Sequence, residues 1–154
     1  MLIVWLLITG SFFAAEAQHA EPAPVFTRQD SLRGSLNAER AYNVLKYDLS
    51  VKPDYTSRFL TGKNTITYLD SGLKYMQIDL QEPLEIDSII QNNRKLFYTR
   101  EENVFHVYVG DSVNKKAHCI SCPLEITIYY HGHPHIAVKP PWDGGWVFAK
   151  DSLG

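Results

Sequence analysis

Hydrophobic and polar residues alternate along most of the chain beyond residue 42. In the first of these stretches Leu45, Tyr47, Leu49 and Val51 fall on one side, and the residues between them are polar or charged. Successive side chains of a β-strand point to opposite faces of the sheet. The period of two therefore predicts a half-buried strand whose apolar face is made by these residues.

The same alternation recurs in short stretches to the end of the chain. It predicts further strands at residues 64–68, 76–80, 84–90, 96–99, 104–109, 124–130 and 146–149. Turn-forming residues separate them, at Lys52-Pro53-Asp54, Asp70-Ser71-Gly72, Glu82-Pro83, Asn92-Asn93, Gly110-Asp111-Ser112 and Gly132 to Pro134. Short strands without long helical patterns between them are typical of antiparallel sheets. We therefore expect an all-β fold, an antiparallel two-sheet β-sandwich of saddle-like shape.

One short helix is predicted between Asp30 and Asn43. Leu32 and Leu36 lie four residues apart on one helical face, and Asp30 or Ser31 would serve as the N-cap. Gly34 weakens this helix, so it is expected to be a minor element.

The N-terminus has the pattern of an export signal. Residues 2–15 carry no charge, and Ala15-Glu16-Ala17 matches an A-x-A cleavage site. The apolar stretch is shorter than the ~20 residues of a membrane-spanning helix. We expect a signal peptide at 1–17, a flexible leader at 18–29 and a β-sandwich domain at 30–154. The protein would be periplasmic or secreted, with no membrane span after cleavage. No basic residue occurs before Arg28, so the start codon is an open question.

Composition and charge narrow the class of protein. Hydrophobic residues make up 45% of the chain and charged residues 21%, which is globular composition. The net charge of −2 comes from interspersed acidic and basic residues. No basic run would follow a phosphate backbone, so nucleic acid is not an expected partner.

Cys119 and Cys122 form a C-x-x-C pair. In a redox enzyme such a pair opens a helix, whereas here Pro123 and a predicted strand follow. In an exported protein the favoured interpretation is a structural disulfide between Cys119 and Cys122. A disulfide oxidoreductase and half of a zinc knuckle are the alternatives.

Two other segments could carry chemistry. His131, His133 and His135 form H-x-H-x-H, which could place two histidines on one metal, although a surface loop that contains histidines is the favoured interpretation. Trp142, Asp143, Gly144, Gly145 and Trp146 form a turn in which two indoles flank two successive glycines. This turn could line a cleft or contact a neighbouring domain, or both indoles could close one end of the sandwich.

The order of several segments resembles a known family. They are Asp30 to Ser35, Tyr47 to Val51, Gly62 to Thr67, Met76 to Leu80, Ile128 to Gly132 and the string P-P-W-D-G-G at 140–145. Together they resemble the N-terminal domain of the aminopeptidase N family of zinc metallopeptidases (gluzincins), and the tail resembles its secreted bacterial members. The resemblance implies a β-sandwich that precedes a catalytic domain, in which two histidines and a glutamate hold zinc and a second glutamate activates water. It also implies a G-x-M-E-N strand there that binds the free amine of a peptide substrate.

None of these catalytic motifs occurs in this chain. No histidine is followed by glutamate, and Met76 is followed by Gln77. We therefore expect a fragment that lacks H-E-x-x-H, is truncated at its C-terminal end, has no catalytic or metal-binding residues and binds no zinc of its own. Zinc, the peptide substrate and the catalytic domain of the same polypeptide would belong to the full-length enzyme. The alternative is a free-standing exported binding module whose Trp-rich loop takes sugar or peptide ligands.

Overall fold

The computed structural model of the chain describes residues 25–33, 37–69, 72, 74–110 and 122–152. Within these ranges the chain forms one α-helix, one 3-10 helix and eight β-strands. The bounds are α1 Arg28–Arg33, the 3-10 helix Ala38–Arg40, β1 Asn43–Asp54, β2 Phe59–Leu69, β3 Tyr75–Asp79, β4 Glu85–Gln91, β5 Arg94–Lys95, β6 Tyr98–Glu101, β7 Val104–Tyr108 and β8 Pro123–Gly132. The predicted signal peptide lies outside the described residues.

The strands form two antiparallel sheets that enclose one core. The larger sheet has the order β1-β2-β8-β4-β5 and the smaller one β3-β7-β6. Their facing apolar side chains form a single cluster: Ile66, Tyr68, Met76, Ile78, Ile86, Ile89, Leu96, Phe105, Val107, Val109, Ile126 and Ile128. The predicted all-β, antiparallel two-sheet sandwich is confirmed.

The central strands of the larger sheet show why the alternation predicts the fold correctly. Ile66 of β2 lies opposite Ile126 of β8, and both are buried. On the other face Thr65 and Thr127 lie opposite each other with their hydroxyl oxygens 3.0 Å apart. Burying one such isoleucine stabilises the fold by about 1.5–3 kcal/mol. The period of two thus orients the sheet.

In β4 the alternation breaks at Asp87. The pairing with β8 shifts register between Ile86 and Ser88. Because of this bulge Ile86 and Ile89 face the core, and Ile89 has 0% of its surface exposed. The expectation that Ile86 and Ile90 share one face was wrong, since one unpaired residue reverses the alternation that follows.

The predicted strand at 96–99 is also wrong in its bounds. Asn92 and Asn93 have positive φ values of 51° and 60° and turn the chain from β4 into β5, as a two-residue hairpin requires. The chain then leaves the larger sheet after Lys95 and enters the smaller one at Tyr98. Residues 96–97 cross between the sheets instead of pairing.

The N-terminal helical segment differs from its prediction. The helix begins at Arg28, inside the predicted leader, so Asp30 belongs to its first turn and is not its N-cap. Its carboxylate accepts a hydrogen bond from the Thr27 N–H at 2.8 Å. Leu32 is buried, and Asn37 caps the separate 3-10 helix through the Glu39 N–H. Residues 34–36 lie outside the described ranges.

Strand β1 corrects two further expectations. The predicted turn Lys52-Pro53-Asp54 is the end of this strand, and the turn follows at residues 55–58, where Asp54 accepts the Thr56 N–H at 2.9 Å. Tyr47 and Leu49 were expected on a buried face but are 59% and 61% exposed. β1 is the edge strand of the larger sheet, and Val44 near its start packs against the core cluster, whereas Tyr47 and Leu49 remain largely exposed.

Candidate functional site

The tryptophan loop, residues 138–148, is held in shape by one carboxylate. The Asp143 side chain accepts the backbone N–H of Lys139 at 2.8 and 2.9 Å and also that of Val138. The Trp142 N–H donates to the Lys139 carbonyl at 2.9 Å and closes the turn. These backbone donors, with Lys139 first, lower the pKa of the Asp143 carboxyl below its usual value. Asp143 is therefore an internal hydrogen-bond acceptor of the loop.

Of the two glycines in this loop, only Gly145 is required by the backbone. Its φ is +143°, and a Cβ there would lie 2.7 Å from the Ala137 nitrogen and 2.9 Å from the His135 oxygen. This close approach lets the Trp146 N–H donate to the His135 carbonyl at 2.8 Å. A Cβ on Gly144 would meet nothing within 4 Å. The two successive glycines suggest a turn that needs no Cβ at either position, but the structure requires this only at Gly145.

The two indoles of the loop have different environments. Trp146 stacks on Phe148 with ring centroids 6.1 Å apart, and Phe148 meets the edge of Tyr55 at 6.5 Å. Trp142 is 90% exposed. Trp142 therefore does not close the end of the sandwich, while Trp146 packs on Phe148.

The predicted strand at 146–149 is absent from this part of the described chain. Trp146 forms only an isolated parallel bridge with Ile136. The turn at Gly145 brings residue 146 beside residue 136 for one contact, and residues 147–150 have no regular structure. The apolar run Trp146 to Phe148 is used for aromatic packing instead of sheet pairing.

Sequence reasoning missed a groove between the β1–β2 turn and residues 148–151, at and after the end of the tryptophan loop. It has a volume of about 850 Å³ and is lined by Tyr55, Thr56, Arg58, Phe148, Ala149, Lys150 and Asp151. The two segments are far apart in sequence, so no local pattern brings them together. The contact between Tyr55 and Phe148 that marks the groove exists only in the folded chain.

The three histidines of H-x-H-x-H have separate polar partners. His131 Nδ1 lies 2.7 Å from the Asp87 carboxylate, and His133 Nδ1 lies 3.3 Å from the Arg58 carbonyl oxygen. The rings of both histidines contact Phe59. His135 uses its backbone carbonyl to hold Trp146. Among the described residues no group of His, Cys, Asp and Glu side chains could hold a metal ion.

Of the predicted disulfide, the structure describes only Cys122. Cys122, directly before β8, does not carry a free thiol. Cys119 lies outside the described residues, so its pairing with Cys122 stays a prediction.

A second candidate surface lies on the core-side face of the larger sheet, at its β1 edge. We call Tyr47, Leu49 and Asn64 the edge surface; Leu49 and Asn64 lie opposite each other on β1 and β2. The Asn64 side-chain oxygen is buried and has no hydrogen-bond partner among the described residues. An apolar surface with an unpaired acceptor inside it is a place where a partner could bury area and supply a donor.

The fold of the chain is similar to part of the structures of M1 zinc metallopeptidases. An M1 zinc metallopeptidase from Deinococcus radiodurans is similar to it with a TM-score of 0.52 and 18% identity, over 66% of this chain and 23% of that chain. A structure from the same organism with a bound Tyr-Ser-Ala substrate gives a TM-score of 0.51 and 18% identity, over 66% of this chain and 22% of that one.

At this identity the likeness is one of fold, and the chain spans less than a quarter of the length of these metallopeptidases. The chain therefore has a fold found in part of M1 zinc metallopeptidases. No protein-family model matches the sequence, and no curated protein matches it either. None of the helices in the described ranges is long and apolar enough to span a membrane.

Proposed function

We propose that this chain is the non-catalytic N-terminal part of an exported zinc-dependent aminopeptidase, of the secreted bacterial type that its sequence resembles. The observation that carries the proposal is the fold shared with M1 zinc metallopeptidases, of which the chain spans 23%. The segments that resemble the N-terminal domain of the aminopeptidase N family, including P-P-W-D-G-G at 140–145, support it independently.

The role of this part would be architectural. The edge surface would pack on the catalytic domain of the same polypeptide. Tyr47 and Leu49 are 59% and 61% exposed, and covering such apolar area contributes about 25 cal/mol per Å². A donor from the covering domain would also satisfy the buried oxygen of Asn64, which otherwise carries a desolvation cost.

The tryptophan loop would contact the catalytic domain or its cleft. Asp143 and Gly145 fix the backbone of the loop, so Trp142 is presented on a defined turn while 90% of its surface is exposed. A large apolar side chain on a rigid turn loses little entropy when a partner covers it. Such residues commonly anchor interfaces.

The described residues do not fit a zinc ion, because they contain no cluster of ligands. In this proposal zinc and the chemistry of peptide cleavage belong to the catalytic domain, and this chain has no step in the reaction.

The proposal is tested by activity and by the coding sequence. The purified chain with added zinc should not hydrolyse an amino-acid anilide, whereas a protein extended by the codons that follow Gly154 should do so and should contain H-E-x-x-H. Hydrolysis by the chain alone would contradict the non-catalytic role. A stop codon directly after Gly154 would contradict the fragment.

The second candidate is a free-standing exported binding module. The exposed indole of Trp142 and the groove lined by Tyr55 and Phe148 favour it, because sugars and peptides stack on such rings. A free-standing module requires a stop codon directly after Gly154. Ligand binding to it should change tryptophan fluorescence, and Trp142→Ala should abolish this change.

A further inference from the structure

Strand β1 leaves a long sheet edge open. It is twelve residues long, pairs with β2 along one side, and has no strand on its other side among the described residues. An edge of this kind is a template for pairing with another strand, and proteins usually blunt it with charges or proline. The charged side chains of β1 therefore determine which strand can pair with this edge.

The polar face of β1 carries an ordered series of charges. Lys46, Asp48, Ser50, Lys52 and Asp54 follow each other at every second residue, so their side chains point to the same face. Each charged residue on one side of Ser50 has an oppositely charged residue at the same distance on the other side. A strand with this pattern is complementary to an antiparallel copy of itself.

Pairing with Ser50 opposite Ser50 satisfies every charge. Lys46 then faces Asp54, and Asp48 faces Lys52, each pair occurring twice because of the two-fold axis. Opposite charges directly across two antiparallel strands are stabilising, and like charges there are destabilising. Lys46 and Asp48 form an ion pair 3.4 Å apart within one chain, and the cross-strand pairs would replace only this weak pair because both side chains are well exposed, at 66% and 64%.

The neighbouring registers are disfavoured by the same charges. A two-fold axis at Leu49 would place Lys46 opposite Lys52. An axis at Val51 would place Asp48 opposite Asp54. Lysines on an edge strand normally prevent pairing. Here they permit one register and oppose the registers on either side.

The rest of the strand fits this register. The bulge at Leu45 lies outside residues 46–54, so the ladder can run along a regular stretch. On the apolar face Leu49, which is 61% exposed, meets Val51 of the second copy. Pro53 has no N–H to donate, so each end of the nine-residue ladder lacks this donor, just inside the pair of Lys46 with Asp54.

We propose that β1 joins two copies of this chain edge to edge, antiparallel and centred on Ser50, so that their larger sheets become one continuous sheet. The contact uses the backbone edge and the polar face. It shares Leu49 with the edge surface but needs no catalytic domain, so it does not depend on the proposed function. An edge of nine residues is smaller than a standard interface, and we expect a weak dimer with a Kd on the order of 100 µM.

Sedimentation equilibrium of the protein as isolated, at low salt, tests this contact. Asp48→Lys puts lysines opposite each other, and Lys52→Asp puts aspartates opposite each other. Each change alone should weaken dimerisation about tenfold, since it creates two like-charge pairs. The double change Asp48→Lys with Lys52→Asp should restore the Kd to within about threefold. Lys95→Asp on β5, at the opposite edge of the same sheet, is the matched control and should leave the Kd unchanged.

All of the changed residues are exposed, so the sheet should stay intact in each variant, and circular dichroism checks this. A protein that stays monomeric at about 1 mM overturns the proposal, since a dimer of the expected Kd would then prevail. If the single changes leave the Kd unchanged, or if the double change does not restore it, this register is overturned.

Discussion

At the scale of single residues, the tryptophan loop shows which features of a turn a sequence can predict. Two adjacent glycines between tryptophans correctly predict a turn. They do not tell which glycine is constrained: only Gly145 has the backbone of residues 135–137 against it. Nor do they predict that Asp143 serves the loop itself, because its acceptor role depends on the N–H groups of Val138 and Lys139.

The role of Asp143 predicts a pH dependence of the loop. Its pKa is lowered, first by the Lys139 N–H, so the stabilisation is fully present above the unfolded value of about 3.9 and is lost as the pH falls through the lower folded pKa. In an NMR titration the amide protons of Val138 and Lys139 should shift with a common midpoint below about 3.9. Asp143→Asn should remove this titration. A midpoint at or above the usual aspartate value would contradict the role.

At the scale of elements, the alternation of residues predicts strands better than it predicts their ends. Most predicted strands are present, since β-strands with one buried face require a period of two. The errors occur where an element depends on a residue far away in sequence: the bulge at Asp87, the crossing at residues 96–97, and the edge strand β1, whose Tyr47 and Leu49 stay exposed. Period alone contains no information about what covers a face.

Strand β2 contains a glycine whose place is explained by its neighbour across the sheet. Gly62 lies opposite Tyr130 of β8, and a Cβ on it would lie 2.1 Å from the Tyr130 ring. Valine usually favours strands over glycine. Gly62→Val should nevertheless lower the free energy of unfolding by about 1–3 kcal/mol, because the tyrosine ring that covers the glycine has to move. Urea denaturation measures this loss.

A double-variant cycle provides the control. Once Tyr130→Ala has removed the ring, adding Gly62→Val should cost less than it does in the original protein. Equal costs in both backgrounds would show that the glycine is required for another reason.

At the scale of the whole molecule, the N-terminal segment is attached to the smaller sheet by polar contacts. Arg28 forms a two-point ion pair with Glu101, and His106 lies between Glu39 and Glu101. The Arg28 hydrogen bond is the main reason why the pKa of the Glu101 carboxyl is lowered. A sequence pattern with Gln77 between two apolar residues predicts a solvent-facing glutamine, yet Gln77 is 1% exposed because this segment covers it.

Gln77 is the buried centre of this attachment. Its amide nitrogen donates to the Leu32 carbonyl at 2.9 Å, and its oxygen accepts from the Asn37 amide. Gln77→Leu would leave the Asn37 amide without this acceptor, at a cost of about 1–3 kcal/mol, whereas the Leu32 carbonyl would keep its hydrogen bond from Arg40 Nε at 3.0 Å. The segment should then detach while the sandwich stays folded, and trypsin should cleave after Arg33 about tenfold faster. Gln81→Leu, at an exposed position, is the matched control and should leave the rate unchanged. If both variants are cleaved at the rate of the original protein, the segment is held by Leu32 and the ion pairs alone.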